Sequence, residues 1–193
     1  LKVHVQYYVA CIHVSLNLAR YSEAYDLCRK AIKINDRLGS SINQKLQVYH
    51  LKFLKAMACS HLRQQEKSLR LLSELRNMLL ADRPINYYEL ANNYKGTADI
   101  FRGMGQLQRG VEYCNKVFQL EEKGLICSHD SALAHVIMAR IAGEKNKQNE
   151  QLQQGWAFLH KTNTLGDESS CLIYTNLLRS CSGVGDEMLS FIS

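Results

Sequence analysis

A chain of 193 residues with 46% hydrophobic and 22% charged residues can bury a core, and it fits one domain or a short repeat array. A single proline and an abundance of Leu, Ala, Lys, Gln, Glu and Arg favour an all-α fold, and no apolar run approaches the ~18 residues of a membrane-crossing helix. The net charge of +6 is uneven, with 15 Lys/Arg against 8 Asp/Glu over residues 1–100 and 9 against 10 over 101–193, but no dense basic run interleaved with aromatics argues for nucleic acid as a partner of this segment.

In chain order, "QYYVACIHVSLNL" sets Tyr8, Cys11, Ile12, Ser15 and Leu18 near i, i+3, i+4 and i+7, which predicts a first helix. "ARYSEAYDLCRKAIKIND", Ala19 to Asp36, predicts a second, with Ser22 ahead of Glu23 as its N-cap. After "DRLGSS", the broad apolar face of "LQVYHLKFLKAMACSHL" predicts a third helix, and "HLRQQEKSLRLLSELRNMLL", His61 to Leu80, contains a fourth. "ADRPI" is a break in which Asp82 ahead of Pro84 reads as a helix start. "INYYELANNYKGTADIFRGM" and "GQLQRGVEYCNKVFQLEE" predict a fifth and a sixth helix about the turn at Gly103-Met104-Gly105. "SHDSALAHVIMARIAG" predicts a seventh, capped by Ser128 or Asp130, with Leu133, Val136, Ile137 and Ile141 on one face. "NEQLQQGWAFLHKTN" predicts a partner helix with Leu152, Trp156 and Leu159 inward, and residues 169–193 a capping helix.

The sixth helix repeats the second. Ala24 and Gly110, Cys28 and Cys114, and Lys30 and Lys116 align at a separation of 86 residues, and a third copy lies midway, with Ser68 and Leu72 on the small and apolar positions. Steps of 44 and 42 residues separate Ala24, Ser68 and Gly110, a length that fits a helical hairpin with its connections. The chain thus divides into pairs at about 4–37, 41–81, 85–123 and 129–165, followed by the cap. A small residue recurs where the second helix of a pair crosses the first. Leucine there costs roughly 1–3 kcal/mol in overpacking, whereas alanine at Gly110 is expected to be accommodated.

Tyr94, Ala98, Phe101, Gly105, Gly110, Cys114 and Val117, and likewise Tyr8, Ala19, Ala24, Cys28 and Ala31, resemble the tetratricopeptide pattern of large, small, aromatic and turn residues. Ile12 and Ser15 depart from it, and the steps exceed the usual ~34 residues. Longer, irregular repeats of this kind resemble those of bacterial sensor and transcription-regulator proteins. The resemblance implies a right-handed α-solenoid of about four antiparallel helix pairs whose first helices line a concave face. On this chain that face comprises Gln6, Val9, His13 and Asn17, then His50, Phe53, Met57 and His61, then Asn92, Lys95, Asp99 and Arg102. A peptide or protein partner anchored by an apolar side chain and by polar groups is the implied occupant. The plainer reading is that Phe53 and Met57 pack in the core and that Lys95 and Asp99 form an i, i+4 pair on a solvated face. The Lys, Asn and Arg set of the family's carboxylate clamp is not reproduced.

Seven cysteines, an odd number without a CxxC spacing, read as buried structural thiols in a reducing cytoplasm. His50 and His61 are too far apart for one ion, and His129 and His135 diverge, so neither metal nor cofactor is expected. The glycines of "RGMGQLQRG" lack the preceding strand of a nucleotide loop, and no HExxH, nucleophile elbow or P-loop is present, so no catalytic residue is assigned. The expected function is that of a cytoplasmic protein- or peptide-binding repeat module, the sensing or interaction part of a longer regulatory protein. A self-associating scaffold and a nucleic-acid-binding solenoid are the alternatives.

Overall fold

The computed structural model describes residues 2–37, 41–143 and, with gaps, 147–157. Among the described residues all regular structure is helical and no strand occurs: α1 (Lys2–Asn17), α2 (Tyr21–Asp36), α3 (Ile42–His61), α4 (Gln65–Ala81), α5 (Tyr87–Gly103), α6 (Leu107–Glu122) and α7 (Ser128–Ala142). The described residues between 147 and 157 are helical as well. The capping helix expected from 169, and the side chains of Leu152, Trp156 and Leu159, lie outside the described residues.

Two compact units result, Leu1–Gly96 and Thr97–Ser193. In the first, helices pack in sequence, α1 on α2, α2 on α3 and α3 on α4, and α1 also touches α3. Its core combines Val5 and Ile12 of α1, Ala24, Cys28 and Ala31 of α2, and Leu51, Leu54 and Ala58 of α3, extended by Tyr49, Leu75 and Leu79. Leu72, Leu75 and Leu79 are fully buried, each worth about 1.5–3 kcal/mol. In the second unit α6 packs on α7, and Ala98, Cys114, Ile137 and Ile141 form the core. Leu133 is half-buried and Val136 buried, on the face of α7 that its periodicity indicates.

The turns inside the first three helical hairpins are the same. Ala19, Arg63 and Gly105 have φ of 57°, 60° and 73° and stand 44 and 42 residues apart, the spacing of the crossing residues. At each, the amide one residue later donates to a carbonyl five residues back (Arg20 to Ser15 at 2.8 Å, Gln64 to Cys59 at 3.0 Å, Gln106 to Phe101 at 2.9 Å), a Schellman closure. Glycine suits this left-handed conformation, yet two of the three turns use Ala and Arg.

That closure starts α2 at Tyr21, with Arg20 in the N-cap position, so Ser22 lies within the first turn and is not the cap. Asp82 likewise ends α4 and does not open α5. The start of α5 is held by Asn86, whose Oδ1 accepts from the Glu89 amide at 3.1 Å. Cys127, ahead of Ser128, takes the N-cap position of α7, with its thiol 3.4 Å from Asp130.

The crossing residues are tight. Ala24 and Ser68 are fully buried, and the Ser68 hydroxyl donates to the Ala56 carbonyl at 2.5 Å. A Cβ at Gly110 would stand 2.8 Å from Ile141 Cδ1 and 3.2 Å from the Ala98 carbonyl oxygen. Alanine therefore does not enter free space there, which corrects the expectation from sequence. Gly96, which the pattern did not single out, is as close: its Cβ would meet Phe53 Cε2 at 2.9 Å and Met57 Sδ at 3.1 Å.

Candidate functional site: a groove on α1 and α3

On α1, burial of Val5, Ile12 and Ser15 against α2 turns Gln6, Val9, His13 and Asn17 to the adjacent face, at spacings of three to four residues. On α3, Leu51, Leu54 and Ala58 face the core and leave Leu46, Gln47 and His50 beside α1. Gln6, Val9, Leu46, Gln47 and His50 line a groove of about 320 Å³. Gln6 and His13 are exposed, Val9 and His50 half-buried. His50 and His13 approach through their Nε2 atoms at 3.4 Å, with ring centroids 5.6 Å apart and planes tilted by 34°. Burial, reinforced by the neighbouring His13, lowers the His50 pKa below the ordinary imidazole value, so the groove wall is neutral at pH 7.

The remaining expected residues are placed less uniformly. Phe53 and Met57 are half-buried against Gly96 and serve the packing of α3 on α5. His61 stacks on Tyr21, centroids 4.5 Å apart and planes 10° from parallel, at the hairpin end of the first unit. Asn17 is exposed at the end of α1, Asn92 is half-buried, and Lys95 is buried within its helix face. In the second unit, Asp99 accepts from Arg102 Nε, three residues on, at 2.8 Å.

A second cleft, of about 390 Å³, lies among the end of α2, the first half of α3 and the end of α4 and went unseen in the sequence. Asn35, almost fully buried, donates through Nδ2 to the Gln44 carbonyl at 3.1 Å, while its Oδ1 has no hydrogen-bond partner among the described residues. The Tyr49 hydroxyl donates to the Asp82 carboxylate, which also draws Lys45 Nζ to 3.6 Å. Burial first, and the Asp82 charge next, push the Tyr49 pKa up to about 12. One signal was present: Asn35 occupies the fourth place in the buried stripe of Ala24, Cys28 and Ala31, where an apolar residue belongs.

No family model, curated protein or solved structure matches this chain. The site must be judged on its own chemistry. Among the described residues no group of three or more His, Cys, Asp or Glu could hold a metal ion, and no helix is long and apolar enough to cross a membrane. Cys28, Cys59 and Cys114 are free and buried, and burial raises all three thiol pKa values, to about 12 for Cys28 and Cys114. They are packing residues without nucleophilic character. Cys127, free and exposed, departs from the expectation of buried cysteines.

Proposed function

We propose that this chain is a protein- or peptide-binding helical-repeat module of the tetratricopeptide kind, a right-handed α-solenoid serving as the interaction part of a cytoplasmic regulatory protein. The observation that supports this reading is the groove on α1 and α3. It is open, and it is lined by the apolar Val9 and Leu46 together with the polar groups of Gln6, Gln47 and His50. Such a surface suits an extended segment, whose apolar side chain packs on Val9 and Leu46 while the amides satisfy its backbone. Neutral histidine and glutamine favour a partner of mixed, weakly charged sequence over a strongly acidic one.

The test is selection from a displayed library of random 12-residue peptides. Sequences that bind the wild-type chain and lose at least tenfold in affinity with Leu46→Glu, at an exposed position, support the groove. Equal binding to both proteins refutes it.

One observation favours the second reading, self-association. Tyr7, Val14 and Leu18 are 68%, 57% and 58% exposed and recur at helical spacing along α1. Sedimentation at rising concentration distinguishes the two: a dimer dissolved by Val14→Ser supports the scaffold, and a monomer at all concentrations excludes it.

A further inference from the structure

The His13 and His50 rings meet edge to edge through their Nε2 atoms at 3.4 Å, at the long end of hydrogen-bond range. Protein N–H···O bonds cluster at about 2.9–3.0 Å, and this nitrogen–nitrogen separation is longer. The ring centroids are 5.6 Å apart, whereas the His61–Tyr21 and His135–Phe118 pairs, with planes 10° and 29° from parallel, stack with centroids 4.5 and 4.4 Å apart. What the 3.4 Å spacing does match is a shared ligand position. Two imidazole nitrogens at ~2.0–2.1 Å from a tetrahedral zinc ion stand about 3.3–3.4 Å apart.

We propose that His13 and His50 form a two-histidine site for a divalent transition-metal ion of the zinc type, clamping α1 to α3. Both nitrogens belong to helices already fixed by the core, so little ordering is needed to bring them together. The exposed His13 leaves the ion open to solvent. Water completes the coordination sphere. The donor set is nitrogen only, which selects zinc, nickel or copper over magnesium and calcium. Distant in sequence by 37 residues, the two ligands join helices that are not consecutive, so a bound ion stabilises the first unit against separation of α1.

The experiment is thermal unfolding of the full chain with zinc chloride at 0, about 0.1 and about 1 mM under reducing conditions, for wild type, His13→Ala and His50→Gln. Magnesium chloride serves as the control. His13 is exposed, so His13→Ala keeps the fold, which circular dichroism verifies. The expected result is a zinc-dependent rise in Tm of several degrees for wild type, lost in each variant and absent with magnesium, together with selective shifts of the His13 and His50 ring protons in nuclear magnetic resonance spectra. A rise of equal size in wild type and His13→Ala places the zinc elsewhere and overturns the proposal. So does the absence of any rise, or of ring-proton shifts, at millimolar zinc.

Discussion

Alanine at Gly110 tests how closely the helices of the third pair cross. The substitution recovers about 1 kcal/mol of helix propensity. Against this, the new methyl group stands 2.8 Å from Ile141 Cδ1 and 3.2 Å from the Ala98 carbonyl oxygen. The Ile141 methyl ends a flexible side chain and can rotate away at about 0.5–1.5 kcal/mol. The Ala98 oxygen belongs to a helix backbone and yields only if α5 and α6 move apart, an overpacking cost of about 1–3 kcal/mol. The sum is a net loss of about 0.5–3.5 kcal/mol for Gly110→Ala and a larger one for Gly110→Leu. Urea unfolding at 25 °C reads both as lower midpoints at unchanged slope. Ile141→Val removes the first obstacle, so the double variant Gly110→Ala/Ile141→Val should lose less than the two single losses added. A Gly110→Ala protein stabilised by the full propensity gain, or a Gly110→Leu protein as stable as wild type, would refute the tight crossing.

Three further outcomes are expected. Ala19→Gly and Arg63→Gly relieve left-handed backbone strain and should each raise stability by about 0.5–1 kcal/mol in the same assay, whereas Gly105→Ala should lower it by a similar amount. His50 and His135 have folded pKa values below the ordinary 6.5, chiefly through burial, so the unfolded chain binds their protons more readily. Stability is then at its full value above pH 6.5 and declines as the pH falls below it toward the folded values; replacing both by Gln should flatten that limb in unfolding experiments between pH 7 and 5. Thiol labelling followed by peptide mapping should modify Cys127 rapidly in the native protein and Cys28, Cys59 and Cys114 only after unfolding. Rapid labelling of Cys114 would contradict its place in the core.

The helical elements and their period were legible because both depend on local rules. A helix needs its apolar face at a spacing of three to four residues, and a crossing needs a small residue, so Ala24, Ser68 and Gly110 marked the register. The turns followed from the same count. Asp82 was misread because the dipeptide before Pro84 is a local signal, whereas its observed role is set by Tyr49 and Lys45, more than thirty residues away. Of the groove's lining, Gln6, Val9 and His50 were singled out from the sequence, whereas Leu46 and Gln47 were not, and Phe53 and Met57 lie against Gly96 instead. The offset that places His13 on His50 depends on how α1 and α3 are spaced by the whole of α2 and its connection. Gly96 was overlooked for a related reason: a glycine inside a helix has meaning only once Phe53 is known to press on it. The buried Asn35 did leave a trace, as a polar residue in an apolar stripe.

The groove on α1 and α3 is tested most directly by amide chemical-shift mapping of the full chain with the tightest peptide from the library selection. Shifts concentrated on Gln6, Val9, His13, Leu46, Gln47 and His50 are the expected result. Shifts centred instead on Tyr7, Val14 and Leu18, or on the Asn35–Asp82 cleft, would contradict it.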